Sequence, residues 1–293
     1  MEKIGLVIDQ GADLSQKIIE ENKIEIVPLK MDWPEIENIP GENIYQKIIE
    51  AEKRGIKGFG KTSQSSPKDF LDAYKKQLKN FEKIVCITVT SKLSGTYNSA
   101  IQGKTFLKPE GQKRIFVIDS LNISGGQALL SLRLFNLLKE GKKGIEDIKK
   151  ELEKLKSKTC LRIAIRDPKW IESSGRISPT ISKWIKKAQK IGIQPLLGIK
   201  KGTIKPIGIK IGVEDIVVAL FKEMKVKTKK LRAQGKKIEV IITHGDDLKS
   251  AQRLKEMIEA KIKGTEVLFL NMVNDIVGSK TGPGTLVLAW VEA

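Results

Sequence analysis

The 293-residue chain has two cysteines, one histidine and only 5% aromatic residues, and it has no long uninterrupted apolar run. Each scarcity removes a class of protein. Cys86, in an expected strand, and Cys160, at an expected domain junction, are distant in sequence and lack metal-ligand spacing, so they read as buried, reduced thiols. No segment approaches the roughly 18 apolar residues of a membrane helix, and the opening MEKIGLVIDQ has only a five-residue apolar run among charged residues. A soluble cytoplasmic protein without a membrane span is expected. Phosphate loops of the form G-x-x-x-x-G-K-[ST] or G-x-G-x-x-G are missing, as is the G-x-S-x-G elbow of hydrolases. The lone His244 ends IEVIITHGDDL with Asp246 and Asp247 after it, and reads either as a hydrolase base or as a strand-end residue satisfied by backbone. The expectation is a protein with no catalytic residue, cofactor or metal.

Charge, by contrast, is plentiful. A net charge of +19 invites a nucleic-acid reading, but the lysines are spread through helical stretches such as KKELEKLKSK and KEMKVKTKKLRAQGKK, and the few aromatics leave little for bases to stack on. Most such lysines are solvated helix faces. Nucleic acid is therefore not the expected partner, and a basic interaction or nucleic-acid-binding protein stands as the alternative.

The periodicity alternates strand with helix. KIGLVID, IEIVPLKM, KIVCITVT and RIFVID are short apolar runs, each followed by a turn and then a 3.6-period segment such as NIYQKIIEAEKRG, PKDFLDAYKKQLK, TYNSAIQGKTFL or GGQALLSLRLFNLLKEG. This predicts a mostly parallel sheet with helices on its faces. After Lys158, LLGIKKGTIKPIGIKI reads as a hairpin about KKGT, a helix is expected from about Val213 to Leu231, and further α/β segments close the chain. The expected organisation is two α/β domains, 1–157 with the mostly parallel sheet and 158–293 with a mixed sheet containing antiparallel strands.

Two hydroxyl-rich loops carry the functional reading. In KTSQSSPKDF, Ser66 caps a helix opened by Pro67, with Asp69 in its first turn, whereas Thr62 and Gln64 lie too far upstream to cap it. In ITVTSKLSGTYNSAIQ, Ser94 and Gly95 stand where a helix starting near Thr96 exposes unpaired amides, a ready anion site, although by spacing alone Ser94 reads first as an N-cap.

Together with these loops, VIDQGADLS, IVPLKM, TSQSSP, TSKLSGTYNSA, DSLNISGGQALL, SSGRIS, IQPLLGIKKGTIKP and SKTGPGTLV follow one another in an order that resembles the DegV family. The resemblance spans most of the chain. It implies a long-chain fatty acid bound in a cleft between two α/β domains, the second covering the acyl chain. It also implies a non-catalytic role like that of the fatty-acid-binding subunit of bacterial fatty acid kinase, whose separate ATP-dependent kinase subunit phosphorylates the carboxylate. Thr62 and Ser94 match the hydroxyls that grip the carboxylate, and the implied ligand set is Thr62, Ser63, Ser94, Gly95, Thr96, Lys280 and Thr281. Three positions depart from the family pattern. Gln10 replaces a serine, Lys280 replaces the histidine before T-G-P-G and would keep its charge across the physiological range, and only Lys210, near Ile211, stands where a basic residue follows the G-x-I-x-P strand.

Overall fold

The computed structural model describes residues 3–191, 193–211 and 215–293. The elements run β1 (Ile4–Asp9), α1 (Gln16–Glu21), β2 (Glu25–Val27), β3 (Lys30–Asp32), α2 (Pro34–Glu37), α3 (Ile44–Lys53), β4 (Lys61–Ser63), α4 (Pro67–Gln77), β5 (Lys83–Thr88), α5 (Thr96–Thr105), α6 (Pro109–Gln112), β6 (Ile115–Asp119), α7 (Gly125–Glu140) and α8 (Ile145–Lys158). There follow β7 (Cys160–Ala164), α9 (Lys169–Ser173), α10 (Pro179–Lys190), β8 (Ile193–Lys200), β9 (Thr203–Ile211), α11 (Ile216–Lys227), α12 (Lys229–Ala233), β10 (Ile238–His244), α13 (Leu248–Lys261), β11 (Thr265–Met272), α14 (Asp275–Thr281) and β12 (Leu286–Glu292). Among the described residues no helix is long and apolar enough to cross a membrane.

The chain forms two compact units, but not by the single cut at 157/158 that periodicity suggests. The first comprises 1–30, 62–158 and 201–203, and the second 31–61, 159–200 and 204–293. Residues 31–61 thus leave the N-terminal half and pack with the C-terminal one. The expected strand IEIVPLKM is also split into β2 and β3. Pro28 lacks the N–H that would continue the ladder, so the pairing stops at Val27.

In the first unit, β2-β1-β5-β6 form an entirely parallel sheet. The central strands β1 and β5 are buried on both faces, which is why they read as unbroken apolar runs rather than as alternation. On one face Val7, Ile84, Cys86 and Ile115 pack with Phe70, Ala73 and Tyr74 of α4 and Ala100 of α5. The Tyr74 hydroxyl donates to the Ala100 carbonyl (3.1 Å), joining those two helices. The predicted cap of α4 is present in both directions, Ser66 Oγ accepting from Asp69 N (3.2 Å) and Asp69 Oδ2 from Ser66 N (2.7 Å).

The second unit carries a six-stranded mixed sheet, β11-β10-β12-β7-β8-β9. Among the described pairings β10–β11 is parallel, and β10–β12, β12–β7 and β7–β8 are antiparallel. Leu220 and Met224 of α11 and Leu254 and Ile258 of α13 cover one face over Val240, Ile242, Leu288 and Trp290. Glu223, whose side chain is 4% exposed, turns into this core and pairs with Arg162 (3.0 Å). The helix expected from Val213 has its described start at Ile216 and is divided at Thr228 into α11 and α12; residues 212–214 lie outside the described ones.

At the carboxyl end of the parallel sheet, acidic side chains hold the loops. Asp9, fully buried, accepts from Val89 N (2.6 Å) and Gly11 N (2.8 Å). Burial raises its carboxyl to about 6, although those N–H groups and the Gln127 side chain work against the rise. The ionised form is therefore disfavoured on folding. Its contribution to stability is fully present below the unfolded aspartate value of about 4 and is lost as pH rises through about 6. Chemical denaturation should accordingly show Asp9→Asn gaining on the wild type between pH 4 and 7, by on the order of 3 kcal/mol for a shift of about two pH units. A stability difference that stays constant over this range would show that Asp9 does not titrate there.

Candidate functional site

The two hydroxyl loops come together in the first unit. The link is Gln64, which the sequence reading noted only as too remote to cap α4. Its Nε2 donates to Ser99 Oγ of α5 (3.0 Å), and its amide lies so close over Gly95 that a Cβ there would stand 1.8 Å from Oε1. A side chain at position 95 would have to push this amide aside. The TSQ loop is thereby laid against the first turn of α5. Thr62 is half-buried and Ser63 exposed.

At the helix start, Gly95 occupies the cap position and offers no side chain. Ser94 Oγ accepts from Thr96 N (3.3 Å) and lies 2.7 Å from Thr96 Oγ1. The cap that the spacing suggests at Ser94 falls instead to Gly95, one residue on. Ser94 Oγ still serves one amide of the first turn, and its bond to the buried Thr96 uses only one of the pair's two hydroxyl protons, so the other is left to donate elsewhere. Later amides of the first turn have no partner within the helix, and the helix dipole is positive there. The arrangement suits a carboxylate met by neutral donors.

The loop leading to Ser94 is held by backbone and carboxylate. Thr90 N donates to Asn122 O (2.9 Å), Ser91 N to Asp119 Oδ1 (3.2 Å) and Ser94 N to Thr90 O (3.3 Å). Asp119 also accepts from Leu121 N (2.9 Å), and Ser124 Oγ donates to Asp13. Gln10, at the position where the serine was expected, accepts from Leu29 N (3.2 Å) and ties the β1 turn to the segment after β2. Several residues that carry the resemblance are thus scaffold under the hydroxyls.

The other two expected ligands belong to the second unit, on the last turn of α14. Thr281 is buried and donates to the Val277 carbonyl (3.1 Å), so its hydroxyl proton is used inside its own helix. Lys280, half-buried, donates to the carbonyl of Gly60, two residues before Thr62 in the chain. Burial, and then the charge of Arg176, push its ammonium below the usual lysine value, where an unperturbed one was expected. Arg176, from SSGRIS, is itself lowered by burial. Nothing in the spacing of SSGRIS marks this arginine for a role of its own. Gly282 (φ +78°) faces Trp170, whose Cδ1 is 2.1 Å from where a Cβ would stand, so the TGPG turn accommodates a side chain of its own unit. The side chains of Lys210 and Ile211 lie outside those described.

His244 is 5% exposed, its Nδ1 accepts from Asp247 N (3.1 Å), and burial lowers its pKa. Asp247 is engaged elsewhere, pairing with Arg166 (2.7 Å) and capping α13 at Ser250 N (3.1 Å). This is the strand-end histidine satisfied by backbone, not a base oriented by an acid. Both cysteines are free, and burial raises both thiols. Among the described residues no group of three His, Cys, Asp or Glu side chains could hold a metal ion.

The chain resembles known proteins along its whole length. It is 34% identical over 212 residues to a DegV domain-containing protein of Clostridium acetobutylicum, covering 69% of this chain and 70% of that one. It is 27% identical over 291 residues to a protein of Thermotoga maritima named fatty acid-binding protein, covering 97% and 96% of the two chains. Among solved structures, a DegV family protein from Thermus thermophilus described by its fatty acid binding superposes with a TM-score of 0.82 at 26% identity, over 99% of this chain and 100% of that one. The family model described as "Uncharacterised protein, DegV family" matches residues 3–293, and the chain belongs to the DegV family.

Proposed function

We propose that the protein binds one long-chain fatty acid, whose carboxylate is held by Thr62, Ser63 and Ser94 with the amides near Gly95 and Thr96, and presents it to a separate ATP-dependent kinase subunit. The observation that carries this reading is the closure of the TSQ loop over Gly95 by Gln64, which gathers neutral donors at the positive end of α5. The similarity to proteins described as binding fatty acids supports it. Each hydrogen bond to the carboxylate gains about 1.5–3 kcal/mol, largely offset by lost hydration. Burying roughly 14 methylenes at about 0.8 kcal/mol each supplies on the order of 11 kcal/mol before ordering costs. The tail gives affinity and the hydroxyls give orientation.

One observation favours the alternative, a basic interaction or nucleic-acid-binding protein. Because Glu223 is buried against Arg162, the exposed face of KEMKVKTKKLRAQGKK keeps its lysines without that acid among them. Organic extraction of the purified protein followed by mass spectrometry decides between the two. Co-purified fatty acid is expected, whereas lipid-free protein that shifts DNA with a steep salt dependence would favour the rival.

Thr62→Ala and Ser94→Ala should each weaken fatty acid binding about tenfold to a hundredfold, the equivalent of roughly 1–3 kcal/mol, with the circular dichroism spectrum unchanged. Wild-type titration curves for both would remove these hydroxyls from the site. For Lys280, the one charged residue of the ligand set that the resemblance implies, Lys280→Met should lower affinity for oleate and leave oleyl alcohol binding unaltered, because only the acid is anionic. Since the Lys280 ammonium is lowered, oleate affinity should be flat through neutral pH and fall on the alkaline side before an ordinary lysine would titrate. Equal losses for acid and alcohol would assign Lys280 to holding Gly60 alone. In a coupled assay for ADP, the isolated chain should consume no ATP, and release should require both fatty acid and an added bacterial fatty acid kinase catalytic subunit; turnover by the chain alone would contradict the proposed division of labour.

A further inference from the structure

The second unit has a pocket of ≈ 490 Å³ between α2, α3, the 55–59 segment and α9. Three aromatic side chains wall it. Trp170 packs edge-on to Phe59 (centroids 5.2 Å, 82°) and tilted against Trp33 (6.2 Å, 56°). Ile48 and Ala51, both buried, and Ile56 complete an apolar lining. The size and lining are those of a small-molecule site, where a few polar groups fix orientation.

Two features say what would enter. Trp33 is 6% exposed, and its indole N–H has no hydrogen-bond partner among the described residues. Gly58, which also lines the pocket, lies beside that nitrogen: a Cβ there would stand 3.8 Å from it and meet nothing else within 4 Å. A buried donor without an acceptor is rare in proteins, and here a ligand reaching past a glycine would supply one. The rim is also compensated. Lys169 sits over the Trp170 ring (5.4 Å) and is gripped by Glu52 (2.7 Å) and Asp167 (2.9 Å), so no uncommitted ammonium at that edge calls for an anionic ligand. The remaining charged lining residue, Lys57, is exposed to solvent.

We infer that this pocket of the second unit is a further ligand site, for a neutral aromatic compound carrying one hydrogen-bond acceptor that pairs with the Trp33 N–H. Rings fit it better than a flexible chain does, because faces and edges of three aromatic side chains offer stacked and T-shaped contacts to another ring.

The test uses prodan, a neutral naphthalene ketone whose emission shifts to the blue in apolar surroundings, titrated into full-length protein already saturated with oleate. Blue-shifted, saturable binding is expected in spite of the oleate. Phe59→Ala, a change at a 41% exposed side chain, should weaken it at least about fivefold by removing one wall. Trp33→Phe keeps a ring but removes the donor, and should weaken prodan roughly threefold to tenfold while leaving unchanged the binding of 2-ethylnaphthalene, measured by displacement of prodan. Displacement of prodan by oleate, no saturable binding, or wild-type affinity in either variant would overturn the inference. Displacement by oleate would do so while leaving the fatty acid reading intact.

Discussion

Carboxylates accepting backbone N–H groups at the carboxyl end of the four-stranded sheet are the constraint on which the hydroxyl site depends. A parallel sheet ends its strands on one edge, and each following loop begins with amides that no ladder partner can serve. Asp9 and Asp119, the last residues of β1 and β6, each reach two of these amides, one in their own turn and one in the loop after β5. The β5 loop is therefore gripped from both neighbouring strands. Ser94 is placed by a segment that cannot drift, and a neutral-donor site needs such fixation because each donor contributes little alone. The cost falls on Asp9, which keeps a carboxyl where burial favours its protonated form.

Much of the fold was legible in the sequence because strands buried on both faces read as continuous apolar runs, and helices covering them keep a 3.6 period. The α4 cap was legible to the atom, since Ser66, Pro67 and Asp69 act on one another within three residues. What was not legible depends on distance. Nothing local in residues 31–61 says that Ile36, Tyr45 and Ile48 belong with the second unit, because an amphipathic helix records that it has a buried face and not what buries it. Small elements failed for a related reason. The helix α14 has seven residues and follows a strand across one turn, too short for periodicity to separate it from a loop.

The candidate site divides similarly. Thr62 stood out as a hydroxyl too far upstream to cap α4, Ser94 as one with a capping reading beside the anion one, and Gly95 as a residue next to a helix start. Gln64 carries no local signal, since its role exists only after residues 64 and 99 meet. Asp9, Asp13, Asp119 and Ser124 are the opposite case: prominent in the segments that carry the resemblance, they turn out to bind backbone or one another. A polar residue at a strand end is a poor guide to ligand contact until its own hydrogen bonds are counted.

The assignment of residues 31–61 to the second unit also sets a timetable. During synthesis this segment emerges early, yet the Tyr45 hydroxyl finds its acceptor at the Val273 carbonyl, 228 positions later. At about 5–20 residues per second, some 10–40 s separate the appearance of residue 61 from that of residue 273. Throughout that interval the apolar side of α3 has no finished partner, although β1, β5 and β6 can already associate once residue 119 has left the ribosome. The nascent chain is thus most exposed to aggregation and to chaperone capture through an internal segment rather than through its growing end, and slowing translation would lengthen that window without delaying the first sheet.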